Sequence, residues 1–401
     1  MCYEFGPIMA NRLRGALAGF GFISARGHAP SYVADPSIEI VAVADLSEEQ
    51  RRVARTVFPG ARLYEAADEM IAAEHPRLDF VDIATPPFEH ARIAHQALHH
   101  GLHVLCEKPL AASPEEGRAM LEHARAARRV IYPCHNYKHA PIIKLVREAI
   151  QSGAIGEVNL VTLQTFRNTH AKGVANWRPD WRRDRHYAGG GIAMDHGSHT
   201  FYLAFEWMGA YPTAISAHAS THGPYDTEDN FNCTMAFPTG SASAHLSWTS
   251  GMRKVLYTIH GSRGAIRVDD EELELAILEG GPGADGPGTP GRWRTEKRVA
   301  RSDWMDASHA GWFASLFQEF RRAMETQEWV GKDAREALLC LELIHRGYQS
   351  ARSDCRMLSV RDEVDGGLPI GIGHETPARN GNGAGLSSPG AVARHGLEHL
   401  A

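Results

Sequence analysis

The sequence contains no apolar run approaching the roughly 18 residues that a bilayer crossing needs, so no membrane span is expected. Its six cysteines, Cys2, Cys106, Cys134, Cys233, Cys340 and Cys355, form no C-x-x-C pair. That argues against a structural zinc site or a disulfide scaffold, and cysteines scattered along a long chain suit a reducing compartment. The opening residues, MCYEFGPIMANRLRG, lack the apolar stretch of about 7–15 residues found in a secretory leader, so a cytoplasmic location is expected. An excess of positive charge is missing as well: 42 Lys and Arg stand against 48 Asp and Glu, a net charge of −6. Binding to nucleic acid or to an anionic membrane surface is therefore not expected, and a small soluble partner is. Internal repeats are absent.

What is present is an ordinary globular balance of 43% hydrophobic and 22% charged residues over 401 positions. That length suggests two domains of roughly 100–200 residues each. In the first half, short apolar runs at 13–18, 38–44, 80–84, 103–106 and 130–133 alternate with longer amphipathic stretches. Such alternation marks βαβ units and a parallel sheet. From Ile142 the character changes. Segments 158–166, 214–220, 230–237, 242–248 and 255–260 read as strands of one largely antiparallel open sheet, and 192–208, 312–324 and 332–353 as helices. The expected division is residues 1–135, with 1–11 a flexible start, then 136–365, then a disordered tail at 366–401. The tail is small, polar and aperiodic and has too little apolar surface to offset its ordering entropy. Gly280 to Gly291 reads as a flexible Gly/Pro-rich loop. The stretch from Arg167 to Tyr187 reads as a long loop, a length that in compact enzymes usually signals function.

Gly19-Phe20-Gly21-Phe22-Ile23-Ser24 lies directly after the first strand and opens a helix. The first glycine allows a tight turn and the second lets the backbone approach a pyrophosphate at the helix N-terminus. Ser24 stands where a third Gly or Ala is usual and is small enough for close helix–strand packing. Asp45 ends the second strand, where a carboxylate can accept hydrogen bonds from an adenosine ribose diol and disfavours a 2′-phosphate. The alternatives are a tight βα turn that binds nothing and a helix-capping aspartate. Arg51 and Arg52 are near enough in sequence to bear on the choice between NAD and NADP.

Further along come Thr85-Pro-Pro-Phe-Glu-His90, Glu107-Lys108-Pro109, Gly153-x-Ile155-Gly156, Trp181-Arg182, Gly189-Gly190-Gly191, Asp195-x-Gly197-x-His199, Glu228-Asp229-Asn230 and Gly261-x-x-Gly264. In order and approximate spacing, over about residues 12–360, they resemble the glucose–fructose oxidoreductase / inositol dehydrogenase / rhizopine-catabolism family. The resemblance implies an α/β fold: an N-terminal Rossmann dinucleotide-binding domain and a C-terminal α/β domain whose open, mostly antiparallel sheet serves substrate binding and oligomerisation. It also implies NAD as cofactor in preference to NADP, held by Gly19, Phe20, Gly21, Phe22, Ile23, Asp45, Thr85, Pro86, His90, Glu107 and Lys108. No metal is implied, and a homodimer or homotetramer is.

Carried over to this chain, the resemblance places Lys108 against the nicotinamide and the reacting hydroxyl, where a cation stabilises a developing alkoxide. Asp195 and His199, four apart on a helix, share a face. A carboxylate there can orient the imidazole and support its protonated form, so that His199 takes the substrate proton. Two other readings of the pair stay open: a solvated helix contact, and metal ligation together with His196, which this spacing points off the shared face. His90 reads as structural or cofactor-adjacent, and the triple glycine as room for a bound ring. In the 168–183 loop, His170, Trp177, Arg178, Trp181 and Arg182 offer aromatic faces and forked donors to a polyhydroxylated ring, or form an oligomer contact. Asn136 joins them as a substrate-binding residue, with Lys108, Asp195 and His199.

The implied activity is NAD-dependent oxidation of a secondary hydroxyl on a sugar, glycoside or cyclitol. Three competitors remain at this level: glycoside cleavage through transient oxidation by retained NAD, reduction of an unsaturated or imine substrate, and a non-catalytic NAD-binding sensor. A sensor has no need of the Lys108, Asp195 and His199 set.

Overall fold

The structure is a computed structural model that describes residues 12–280, 291–304, 306 and 308–360. The expected flexible start, most of the Gly/Pro-rich excursion and the 366–401 tail lie outside the described residues.

Short apolar runs buried on both faces, the pattern of a covered parallel sheet, form β1 (Leu13–Ala18), β2 (Ile38–Ala44), β4 (Phe80–Ile83), β5 (His103–Cys106) and β6 (Ile131–Pro133). With the short β3 (Arg62–Tyr64) they make a six-stranded parallel sheet of order β3-β2-β1-β4-β5-β6 among the described residues. That order reverses between β1 and β4, and a crevice for ligands opens at the strands' C-terminal ends there. The helix after β1 begins as a π-turn, Ser24–His28, and continues as α1 (Ala29–Ala34). In α2 (Glu48–Val57) Ser47 caps the first turn by accepting a hydrogen bond from the Gln50 N–H at 3.3 Å. Next come α3 (Ala67–Glu74), α4 (His90–His99) and α5 (Pro114–Ala127), whose cap is Ser113 with Pro114 at the first helical position.

Past α6 (Pro141–Gln151), β7 (Val158–Phe166) lies inside a second sheet, paired parallel to β10 (Gly240–Ser247) and antiparallel to β11 (Lys254–Gly261). Between β7 and the long α8 (Ile192–Met208) is the short α7 (Arg185–Ala188). The sheet continues through β8 (Ala214–Ser220) and β9 (Asn230–Phe237) on one side. On the other it runs through β12 (Gly264–Asp269), β13 (Glu272–Glu279) and β14 (Arg292–Val299). The sequence patterning does not mark β12 to β14. In β14, RWRTEKRV is exposed almost throughout, yet its backbone completes the ladder of β13, with Lys297 3.5 Å from Glu274 across it.

The helix α8 packs on β7 and β10, and the last two helices, α9 (Ala310–Glu325) and α10 (Lys332–Ala351), return to the body. Phe313, Leu316, Phe317 and Phe320 of α9 join Leu17, Val43, Phe80 and Leu105 in one core cluster. The C-terminal helices therefore brace the first sheet, and α10 packs on β8 and α8 of the second half.

Candidate active site

The C-terminal edge of the parallel sheet opens on a cavity of about 860 Å³. Gly19, Asp45, Thr85, Lys108 and Asn136, each just beyond a different strand, line one side. Gly19 has φ +90, and a Cβ on it would lie 2.9 Å from the Ala84 carbonyl oxygen, so glycine is required where the β1 and β4 turns meet. Gly21 has open space around it. Phe22, Ile23, Pro86 and Glu107 also line the cavity.

Asp45 is anchored by its own backbone surroundings: Oδ2 accepts from Phe20 N–H at 2.7 Å and Oδ1 from Ser47 N–H at 2.8 Å. Burial raises its carboxyl above the ordinary value, and these two bonds and Arg51 oppose the rise. Arg51 donates to the Asp45 and Leu46 carbonyls at 2.7 and 3.1 Å, and Arg52 pairs with Glu48 and Glu49. Arg51 Nη1 is thus turned to the backbone of the β2 turn, and Arg52 to the acidic first turn of α2. The residues present therefore fit a dinucleotide with an unphosphorylated ribose.

Two expected cofactor contacts are corrected. The Phe20 ring is in the core and only its N–H serves the site, through Asp45. His90 is buried outside the cavity lining, with Nδ1 2.9 Å from the Pro109 carbonyl and Nε2 2.8 Å from that of Thr85. It ties together the two turns that carry Thr85 and Lys108.

The opposite wall is built by α8 and the 168–183 segment, which is loop apart from a 3₁₀ turn at Trp181–Arg183. The N-terminus of α8 is capped from a distance: Glu228 accepts from Gly191 and Ala193 N–H at 2.9 Å each and from Tyr348 O–H at 2.8 Å. A Cβ on Gly191 would lie 2.0 Å from the Glu228 carbonyl oxygen, and one on Gly190 2.1 Å from the Tyr348 hydroxyl. Gly190 and Gly191 are thus needed for packing against Glu228 and Tyr348, and both also line the cavity. The neighbouring Asp229 pairs with Arg183, whose Nε is 3.0 Å from His170 Nδ1.

Asp195, His196 and His199 all line the cavity. Lys108 Nζ donates to the Asp195 backbone carbonyl at 2.8 Å and to Oδ1 at 3.1 Å, and Arg182 Nε reaches the same Oδ1 at 3.3 Å. Burial would raise the Asp195 carboxyl, but Lys108 and Arg182 hold it well below the usual range. The expected Asp195–His199 pairing gives way to a different one. The partner of His199 Nδ1 is Tyr202 Oη at 2.8 Å, and Tyr137 stacks on the ring at 3.9 Å and 11°. Burial first, then Lys108 and His196, push the His199 pKa well below 6.5, with Asp195 opposing, so the ring is neutral rather than held protonated. The expected turning away of His196 is likewise corrected: it lines the same cavity, with Nδ1 buried and unpartnered.

In the loop, His170, Trp177, Trp181 and Arg182 line the cavity, and Arg182 lies over the Trp181 ring at 4.2 Å. Arg178 is exposed, absent from the lining and stacked on Tyr187. Arg167, Tyr137, Arg253 and His309, none of them among the expected site residues, also line the cavity. No local motif marks them. Among the described residues, one His/Cys/carboxylate trio converges closely enough to hold a metal, His28, Glu107 and Cys134. Both His28 nitrogens already face carboxylates, and burial pushes the Cys134 thiol well above its usual range, so the trio is a hydrogen-bonded cluster.

Two family models match this chain: the oxidoreductase family with an NAD-binding Rossmann fold over residues 13–135, and the GFO/IDH/MocA C-terminal domain over 143–267. The chain belongs to the GFO/IDH/MocA family. It is thus an NAD-type oxidoreductase. A D-apiose dehydrogenase of Paraburkholderia graminis is 28% identical over 348 residues, 85% of this chain and 88% of that protein. A levoglucosan dehydrogenase of Pseudarthrobacter phenanthrenivorans is 29% identical over 240 residues, 51% of this chain and 59% of that one. The crystal structure of GenD2 from gentamicin A biosynthesis, in complex with NAD, has a TM-score of 0.71 and 25% identity, covering 90% of this chain and 99% of its own. Among the described residues, no helix is long and apolar enough to cross a membrane.

Proposed function

We propose that this GFO/IDH/MocA enzyme oxidises a secondary hydroxyl of a sugar, glycoside or cyclitol, with Lys108, Asp195 and His199 at the reacting carbon. The observation that carries the reading is the Lys108–Asp195 ion pair at 3.1 Å, in the same cavity as the Gly19 turn and Asp45. A dehydrogenase and a sugar-acting relative among the similar proteins support the substrate class.

NAD, when bound, supplies the hydride acceptor. Lys108, held by Asp195, presents an ammonium that stabilises charge developing on the substrate oxygen. His199 takes the hydroxyl proton at Nε2 as the carbinol carbon becomes a carbonyl. That role requires the ring proton on Nδ1, donated to Tyr202 Oη, which also accepts Tyr137 N–H at 3.1 Å. A phenol oxygen has lone pairs for both. Trp177, Trp181, Arg182 and His170 contact the sugar ring. The accompanying proposals are a domain boundary near residue 135, a cytoplasmic enzyme and assembly as a homodimer or homotetramer.

The test is a panel of sugars, glycosides and cyclitols scored by stoichiometric NADH formation. Net NADH with at least one class supports the reading. Glycoside cleavage without net NADH would replace it with the retained-cofactor mechanism.

A further inference from the structure

The described cations that lie deepest are matched with carboxylates: Arg183 with Asp229, Lys108 with Asp195, Lys138 with Asp333 and Glu336. Arg167 and Arg253 break that pattern. Both line the cavity, and neither has a carboxylate within ion-pair distance among the described residues. The register of β7 and β11 pairs Phe166 with Lys254, so the next positions outward, Arg167 and Arg253, leave the sheet side by side. Arg167 is 6% exposed and spends one Nη on the Phe166 and Lys254 carbonyls at 2.8 and 3.4 Å. Arg253 gives Nη2 to the Trp304 carbonyl, and its Nε is buried without a partner. The two guanidinium charges act on each other and on their neighbours. Burial, then Arg253 and Arg167, depress the His309 pKa to about 3, and Arg167 helps depress that of His196, also to about 3 after burial. Tyr137, Asp270 and Asp306 act on Arg253 in the opposite sense, but from beyond ion-pair reach.

The other charges of the lining do not balance this pair. Asp45, Glu65, Glu89 and Glu107 belong to the Rossmann elements, and Glu107 is engaged by His28. Across from them stand Arg167, Arg182 and Arg253, where the one lining carboxylate, Asp195, is taken by Arg182 and by Lys108 of the β5 turn, and Lys172 pairs with Asp180. Two like-charged, largely desolvated guanidinium groups are costly unless an anion joins them, and their forked donors match a carboxylate or a phosphoryl group.

We propose that the substrate carries an acidic group, carboxylate or phosphoryl, and that Arg167 and Arg253 bind it beside Tyr137 and His309. The inference rests on the dehydrogenase reading and narrows its substrate class. The unpartnered Asn136 Oδ1, His196 Nδ1 and His309 Nδ1 then remain for the hydroxyls of the same molecule.

The test uses the full-length protein loaded with NADH and matched trios of the gluco, galacto and manno series: neutral hexose, uronate and hexose 6-phosphate. Binding is read by NADH fluorescence at constant ionic strength. An acidic member binds about tenfold or more tightly than its neutral counterpart, the worth of one charge-assisted contact, and the favoured arm tells carboxylate from phosphoryl. Arg253→Gln and, separately, Arg167→Met reduce that preference to about twofold or less and leave NADH affinity unchanged. Arg253→Lys restores part of it. If no acidic member outbinds its neutral counterpart, or if the preference survives both substitutions, the proposal is overturned. Tight binding of acidic sugars without any NAD-linked oxidation would sink the dehydrogenase reading and leave the anion site standing. Oxidation of neutral sugars alone would do the reverse.

Discussion

Glu228 holds the helix of the site from 35 residues away in the chain: its Oε1 lies 2.9 Å from the Ala193 N–H, with the Gly191 N–H on its other oxygen. A helix N-terminus leaves several N–H groups unpaired, and a buried carboxylate is a strong partner for them. Glu228→Ala strands two buried donors and the Tyr348 hydroxyl, so a loss of about 2–4 kcal/mol is expected on the scale of unsatisfied buried groups. Thermal unfolding measures it. Turnover should fall as well, because Asp195 and His199 ride on that helix. A variant with wild-type melting temperature and turnover would show that α8 is held by packing alone.

Lys108 and His199 carry the mechanistic prediction. His199→Ala lowers turnover roughly 10²–10⁴-fold with NAD affinity little changed, the usual worth of positioned proton transfer. Lys108→Met is equally severe, and Asp195→Asn is milder, through displacement of Lys108. Because the His199 pKa lies well below 6.5, the oxidation rate should show no ionisation of this ring near pH 6.5. Tyr202→Phe removes the Nδ1 partner and should lower kcat more than it raises KM. Near-normal turnover in the His199 variant would make another group the base.

Asp45 carries the prediction on cofactor preference. Asp45→Ser removes the carboxylate at the end of β2 and should weaken NAD binding while narrowing the gap to NADP. Titration of both cofactors by fluorescence measures it, and tighter binding of NADP by the wild-type protein would refute the role.

His28 predicts an alkaline dependence of stability. Burial alone would lower its pKa, but Asp82 at 2.7 Å and Glu107 at 3.0 Å raise it to about 10. The folded protein therefore binds a proton that the unfolded chain releases near 6.5. This stabilisation is fully present below about pH 6.5 and is lost as pH rises toward 10. His28→Gln leaves two buried carboxylates without their cation, a loss of about 3–5 kcal/mol at neutral pH. Urea denaturation at several pH values should show a steeper decline between pH 7 and 10 in the wild type than in the variant. Parallel slopes would mean that His28 is neutral.

Much of this protein is determined locally. The apolar runs at 13–18, 38–44 and 103–106, the capped helix after Ser47 and the Gly19 turn depend on burial periodicity, cap chemistry and glycine's backbone freedom, which act over a few residues. Asp45 and Lys108 were legible because strand ends carry them to one sheet edge, and Asp195 because a short motif marks it on the facing helix. The tertiary structure alone decided what each side chain bonds. Asp195 and His199 share a helix face, yet Lys108 comes from the β5 turn to take the carboxylate and Tyr202 takes the imidazole. Arg167 and Arg253 meet only through the register of β7 against β11, and β14 exists only because β13 offers an edge. Hydrogen-bond pairing and charge compensation are set by distances in space between residues far apart in the chain, and no local pattern encodes them.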